Sequence, residues 1–445
     1  TCDPRLPTSM SIPPTLNRDP LQAFIERARF ITIVLLSLFL LGWALWFWPY
    51  DDLLDRSGTP LGADFSMFYV AGQMTIAGEA TQLYDQSSHQ ERLHHLFPGI
   101  DPQFALPYRY PPIVALLMVP LASLPYAAAI TIFMSFGLAS AWAGLRLLIR
   151  ETAQLSRVDR RLCYLALFGW PVVLETWIGG QASLFAFLIV CAGIVLMQRE
   201  RYAWAGAVWA LAAYKPNVLL LVVIGCILFR PRVLRGLVPV AAIMFAATWW
   251  TVGWDGVIAY VELTLQLAGR PWDVETPFWK VHGIAQWLTF LIGGQARLVS
   301  LMLGLLATIA IVWRWRRTDN SPSSPLPYAL LITVNALANP YTPIYDLTLL
   351  FAGLVLMAPT LATTGRYPFA RHCVAWQAAI AAIYFGPHLS QLIAKSCGLQ
   401  FFPLLLLGYA VFQARLFWRE TDTRSLATGG RPTDSEPYVA SNSSC

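Results

Sequence analysis

The stretch RFITIVLLSLFLLGWALWFWPY, Arg29 to Tyr50, decides the class of fold. After its leading arginine it carries no charge, and it closes on Trp43, Trp46, Trp48 and Tyr50. About 20 apolar residues in a helix rise about 30 Å, the thickness of a bilayer's hydrocarbon core. Trp and Tyr gather at headgroup level, so the aromatic end marks a membrane boundary. A signal peptide has a shorter apolar core and a small-residue cleavage site, so this run reads as an anchor.

The rest of the 445-residue chain repeats the pattern as far as Phe417. It is 56% hydrophobic and 13% charged, with a mean hydropathy of +0.53. A soluble domain carries about 25% charged residues, so the composition predicts one integral membrane unit. The net charge of +6 does not point to nucleic acid, because the arginines stand in short clusters between apolar runs. Those clusters are Arg27 with Arg29, Arg146 to Arg161, QRERY (198–202), RPRVLR (230–235), RWRR (314–317), RYPFAR (366–371) and Arg415 to Arg424. The positive-inside rule places all of them in the cytoplasm. The fold expected is an all-α polytopic bundle of about twelve transmembrane helices, both termini inside. Residues 1–28 read as a mostly disordered cytoplasmic segment, 29–417 as the membrane domain, and 418–445 as a disordered cytoplasmic tail. The run Ile113 to Leu124 breaks the alternation and predicts a half-helix or re-entrant piece, tolerated at membrane depth only where protein or a cavity lines it. Seven cysteines show no CxxC and no metal spacing, and no metal or cofactor is expected.

Polar mass is uneven. The outward side carries a first loop of about sixty residues, 50–110, and a later one, Thr251 to His282. Long loops tend to be functional, so the outer face is where chemistry is expected. The first loop holds GADFSMFYVAG, Gly62 to Gly72, whose aromatic spacing predicts an interfacial helix with Asp64 at its start. Asp64 could cap that helix or serve as a catalytic carboxylate. Tyr108 and Tyr110 in YRYPP suit either the aromatic belt or sugar stacking. Gln181, in GGQAS, could cap the next helix or bind a sugar. Lys215, in AYKPN, either snorkels to headgroups or marks a functional site. GRPWDVETPFWKVHG brings Arg270, Lys280 and His282 together, a grip for phosphate or a solvated mixed-charge loop. NPYTPIYD is a Pro-broken outward turn with Tyr341, Tyr345 and Asp346. No P-loop, GxGxxG, HExxH or GxSxG occurs, so a soluble nucleotide donor has no evident dock.

The set GADFSMFYVAG, LYD (83–85), YPP (110–112), GQ (180–181), AYKP (213–216), WK (279–280) and NPYTPIYDLTLL (339–350) resembles glycosyltransferase family 87 in motif order. These are GT-C superfamily enzymes, among them polyprenol-phosphate-mannose-dependent mannosyltransferases. The resemblance spans about residues 30 to 417. Two positions differ: Ala182 follows the Gly-Gln pair where relatives often have Asn, and Tyr345-Asp346 replaces a His pair found in others. The resemblance implies a GT-C-like bundle in the inner or plasma membrane, with its active site on the periplasmic or extracellular side. It implies a polyprenyl-phosphate hexose donor, a glycolipid or glycan acceptor, and Asp64 as the catalytic base of an inverting transfer. Lys215, Arg270, Lys280 and His282 would face the donor phosphate; Tyr110, Gln181, Tyr341 and Asp346 would face the sugar or acceptor. A transporter or flippase is the rival reading, but the internal repeats and paired midplane charges of such folds are not seen. A non-catalytic scaffold would leave the outer carboxylates dispensable.

Overall fold

The computed structural model describes residues 58–101, 106–151, 157–269, 278–363 and 369–428, with isolated positions between 27 and 55 and at 104. The Arg29 to Tyr50 run is described only in part. Its described positions are helical, and Phe30, Leu38 and Leu41 are exposed. Arg270 lies outside the described residues.

The first loop folds into α1 (Asp64–Ile76) and α2 (Gln86–Leu96), and Asp85 caps α2 by accepting from the Ser87 N–H. An interfacial helix would bury one stripe. α1 instead buries residues on every side, from Phe65 to Met74. Helix α3 (Pro112–Ala122) supplies much of that cover, with Gly72 against Ala122 and the Tyr69 hydroxyl donating to Leu124 O at 2.7 Å. Pro112 opens α3, where a missing N–H costs nothing. Its 11 residues reach only about 16 Å, about half a bilayer; its first turn is buried, while Leu117 and Pro120 are exposed.

The chain continues through α4 (Tyr126–Glu151), α5 (Arg157–Phe168), α6 (Pro171–Ile178) and α7 (Ser183–Gln198). Helix α8 (Tyr202–Ala210) tightens into a 3-10 turn, Leu211–Tyr214, and a second such turn, Pro216–Leu219, opens α9 (Leu220–Phe229). Then come α10 (Leu234–Gly269), bent at Gly253, α11 (Ala285–Ile292), α12 (Ala296–Thr318), α13 (Pro325–Ala338), α14 (Leu350–Thr363), α15 (Phe369–Cys397) and α16 (Phe402–Thr428). The last helix runs eleven residues into the tail expected to be disordered, and Arg314 donates to Trp418 O where that stretch begins.

The described residues form helices and turns, with β-bridges only at Leu54–Pro60 and Val281–Pro343. Three apolar stretches are long enough to cross a membrane: Tyr126–Glu151, Pro231–Leu267 and Ala285–Thr318. The remaining apolar helices have 10–17 residues, about 15–26 Å each. The figure of about twelve crossings therefore rests on the charge pattern alone.

Two backbone breaks, at Lys215-Pro216 and at Asn339 to Pro343, face one another and are tied by side-chain amides. Asn339 Nδ2 donates to Asn217 O (2.6 Å), and Asn217 Nδ2 donates to Tyr341 O (3.2 Å). One turn deeper, Asn335 donates to Val218 O (2.7 Å) and accepts from Leu221 N (3.0 Å). The amides replace the bonds an unbroken helix would make to itself.

Candidate active site

Two glycine-bearing turns meet at Asp64. Its backbone N–H donates to Gly179 O at 3.0 Å. Gly180 has φ +64°, and a Cβ there would lie 2.4 Å from Gly62 O and 2.6 Å from Phe65 Cβ. Glycine both adopts that conformation and admits the close approach. The contact delivers the Gln181 amide to the carboxylate. Gln181 Nε2 donates to Asp64 Oδ2, while Gln181 Oε1 accepts from the Tyr110 hydroxyl at 3.1 Å. Three separate motifs thus join as one chain, Tyr110–Gln181–Asp64. Neither capping role is found: α1 begins at Asp64 with no side-chain cap, and Ala182 stands at the N-cap of α7.

Beside this chain lies a buried ion pair. Lys215 Nζ reaches Asp346 Oδ1 at 2.5 Å and donates to Ser183 Oγ at 3.1 Å, and Ser183 in turn donates to Asp346 Oδ1 at 2.6 Å. The ammonium also sits over the Tyr345 ring at 4.3 Å and 5.9 Å from the centre of the Tyr110 ring. Tyr110 therefore touches both clusters. Lys215 points into protein rather than snorkelling outward, with its side chain 7% exposed. Asp346 Oδ2 is buried and has no hydrogen-bond partner among the described residues.

Asp64 keeps part of its surface open, yet the mass of protein around it raises its carboxyl above the ordinary range. The Gln181 bond and the charges of Lys280 and Lys215 oppose that shift, and Glu175 adds to it. Burial dominates because a carboxylate loses water that a single amide does not replace.

The remaining predicted residues are dispersed. Lys280 is exposed, its ammonium 5.2 Å from the Trp279 ring, which Lys395 also approaches at 5.6 Å. His282 is fully buried against Phe402 and Pro387, and burial pushes its imidazole down to about 3. Burial there favours the neutral ring over the charged phosphate contact expected of it. Tyr341 lies near Tyr345 and both clusters, within reach of the Asp64 and Asp346 charges. Ser183 was missed as a site residue, though it closes the quoted GGQAS turn. The Glu175–His388 contact at 2.8 Å was also missed, for no local motif announces it.

Sequence comparison adds the decisive observation: residues 108–334, about half the chain, match the model of glycosyltransferase family 87. The chain belongs to glycosyltransferase family 87. No curated protein and no solved structure matches it. The family segment includes Tyr110, Gln181, Lys215, Lys280 and His282, while Asp64 stands before it and Tyr341 and Asp346 after it. As a family 87 glycosyltransferase, the protein uses a sugar donor and an acceptor, and its long apolar helices associate it with a membrane.

Proposed function

We propose that the protein moves a mannose-like hexose from a polyprenyl-phosphate donor to a hydroxyl of a glycolipid or glycan, with inversion. The observation that carries this reading is the carboxylate of Asp64, partly open, bonded through one oxygen to Gln181, and set in the fields of Lys280 and Lys215.

In the proposed step an acceptor hydroxyl oxygen attacks the anomeric carbon. Its proton passes to Asp64 Oδ1, the oxygen that Gln181 does not engage. The bond from the anomeric carbon to the phosphate oxygen breaks, and its electron pair leaves on the polyprenyl phosphate. A base held at hydrogen-bond distance accelerates such a step by about 10²–10⁴-fold. Lys280, exposed and electrostatically coupled to Asp64, is the cation we assign to the leaving phosphate. Lys215 is already paired, so we assign it to hold Asp346; a sugar hydroxyl would reach the unpartnered Asp346 Oδ2 only once that buried oxygen is uncovered. Arg270 keeps its sequence-based place in the phosphate grip. The active site is proposed to face the periplasm or the cell exterior.

The test is transfer by purified protein from a panel of labelled polyprenyl-phosphate sugars, with anomeric configuration read in the product. Transfer from a nucleotide sugar alone, or retention at the anomeric carbon, contradicts the reading.

A further inference from the structure

Two basic clusters that sequence reading assigned only to topology come together in space, joined by Glu200 and Tyr202 of a third. Residues from QRERY, RPRVLR and RWRR line one cavity of about 730 Å³, which holds Arg230, Arg232 and Arg316. It lies at the opposite end of the helices from Asp64. Helix α7 begins at Ser183 in the site and ends beside the cavity, and so does the Pro216–Phe229 segment. Helix α13 makes the return journey. Each of these paths has 14 to 16 residues, a separation of about 20 Å.

Arg230 Nη1 and Arg316 Nη2 donate to the same carbonyl oxygen, that of Phe229, at 3.3 and 3.2 Å. Two guanidinium groups are thus held side by side, although like charges repel. Arg230 is further fixed by Asn320, whose side chain and carbonyl accept at 2.8 and 2.6 Å, and by the Phe229 ring 4.0 Å beneath it. Asn320 takes the left-handed conformation, φ +46°, to present both groups. The acids Glu200 and Asp319 also line the cavity, so the arginines exceed them by one charge.

We infer that this cavity binds a phosphate group, either on an anionic lipid or on a soluble phosphate. The planar forks of two adjacent arginines suit the oxygens of a phosphate, which also relieves their repulsion. The inference is independent of the reading of the Asp64 site.

The test uses the full chain, delipidated in detergent. Native mass spectrometry compares retention of phosphatidylglycerol with phosphatidylcholine of the same acyl chains, and calorimetry measures pyrophosphate binding. Preferential retention of phosphatidylglycerol identifies a lipid site; pyrophosphate binding alone identifies a soluble one. In either case Arg316→Gln and Arg230→Gln each weaken binding about tenfold or more. Arg316 is exposed and makes a single 3.2 Å bond to Phe229 O, so R316Q keeps the fold and remains informative should R230Q not fold. Absence of both ligands from the wild-type protein, or unchanged binding in R316Q, overturns the inference.

Discussion

Asp64 is disfavoured as an ion by its surroundings, and that disfavour makes it a stronger base. Its raised pKa means that protonation, which would remove the proposed base, begins at a higher pH than for an ordinary carboxylate. The acid limb of kcat/KM is expected above the usual carboxylate range, with activity lost as pH falls through it. Lys280 opposes the shift. Lys280→Ala should therefore move the acid limb to still higher pH while raising the KM for donor, and a limb that stays in place argues against coupling. Asp64→Asn should lower transfer about 10²–10⁴-fold. Because the neutral amide avoids the cost of a buried charge and can still accept from Gln181, D64N should melt no lower than wild type. Apart from Ser183, the residues of both clusters were named from sequence, yet their partnerships were not. Asp64 and Gln181 are 117 positions apart, and Lys215 and Asp346 are 131 apart, separations at which no local pattern constrains who meets whom.

The turn that carries Gln181 sets how near the carboxylate it can stand. Gly180→Ala combines a left-handed backbone with a clash against Gly62 O and Phe65. A strained non-glycine residue of this kind costs about 1–3 kcal/mol, and the chain from Tyr110 to Asp64 should open. Loss of activity larger than loss of thermal stability is the expected signature. Lys215 and Asp346 show the complementary case. Either single replacement, Lys215→Met or Asp346→Asn, leaves a buried group without its partner and should cost about 3–5 kcal/mol, while the double variant recovers much of that. Additive losses in a denaturation cycle would dismiss the pair as a unit. The breaks at Lys215-Pro216 and at Asn339 to Pro343 were visible in the prolines themselves. The burial of α1 was not, because an apolar helix has the same composition whether lipid or protein covers it.

Sidedness belongs to the whole molecule. Cys397 is exposed at the end of α15, and the neighbouring Gln400 donates to Trp279 O at 3.0 Å, which ties this end to Lys280. If the candidate site faces outward, a membrane-impermeant maleimide should label Cys397 in intact cells, and C397S should lose that signal. Labelling only after the membrane is opened would reverse the proposed orientation. The all-helical, membrane-associated class of fold was legible from composition and charge spacing, since arginine clusters and apolar runs are local properties. The number of crossings was less so, because several apolar helices have only 10–17 residues, short of a full bilayer.

The amide ties of Asn217, Asn335 and Asn339 carry one more implication. Helices interrupted near lipid normally recruit solvent to satisfy the freed peptide groups, and a file of solvent is a path for protons. Here the interruptions are sealed by side chains, so a wet, charged workplace can open toward one surface without perforating the barrier beneath it. Vesicles containing the protein should hold a proton gradient as long as empty ones.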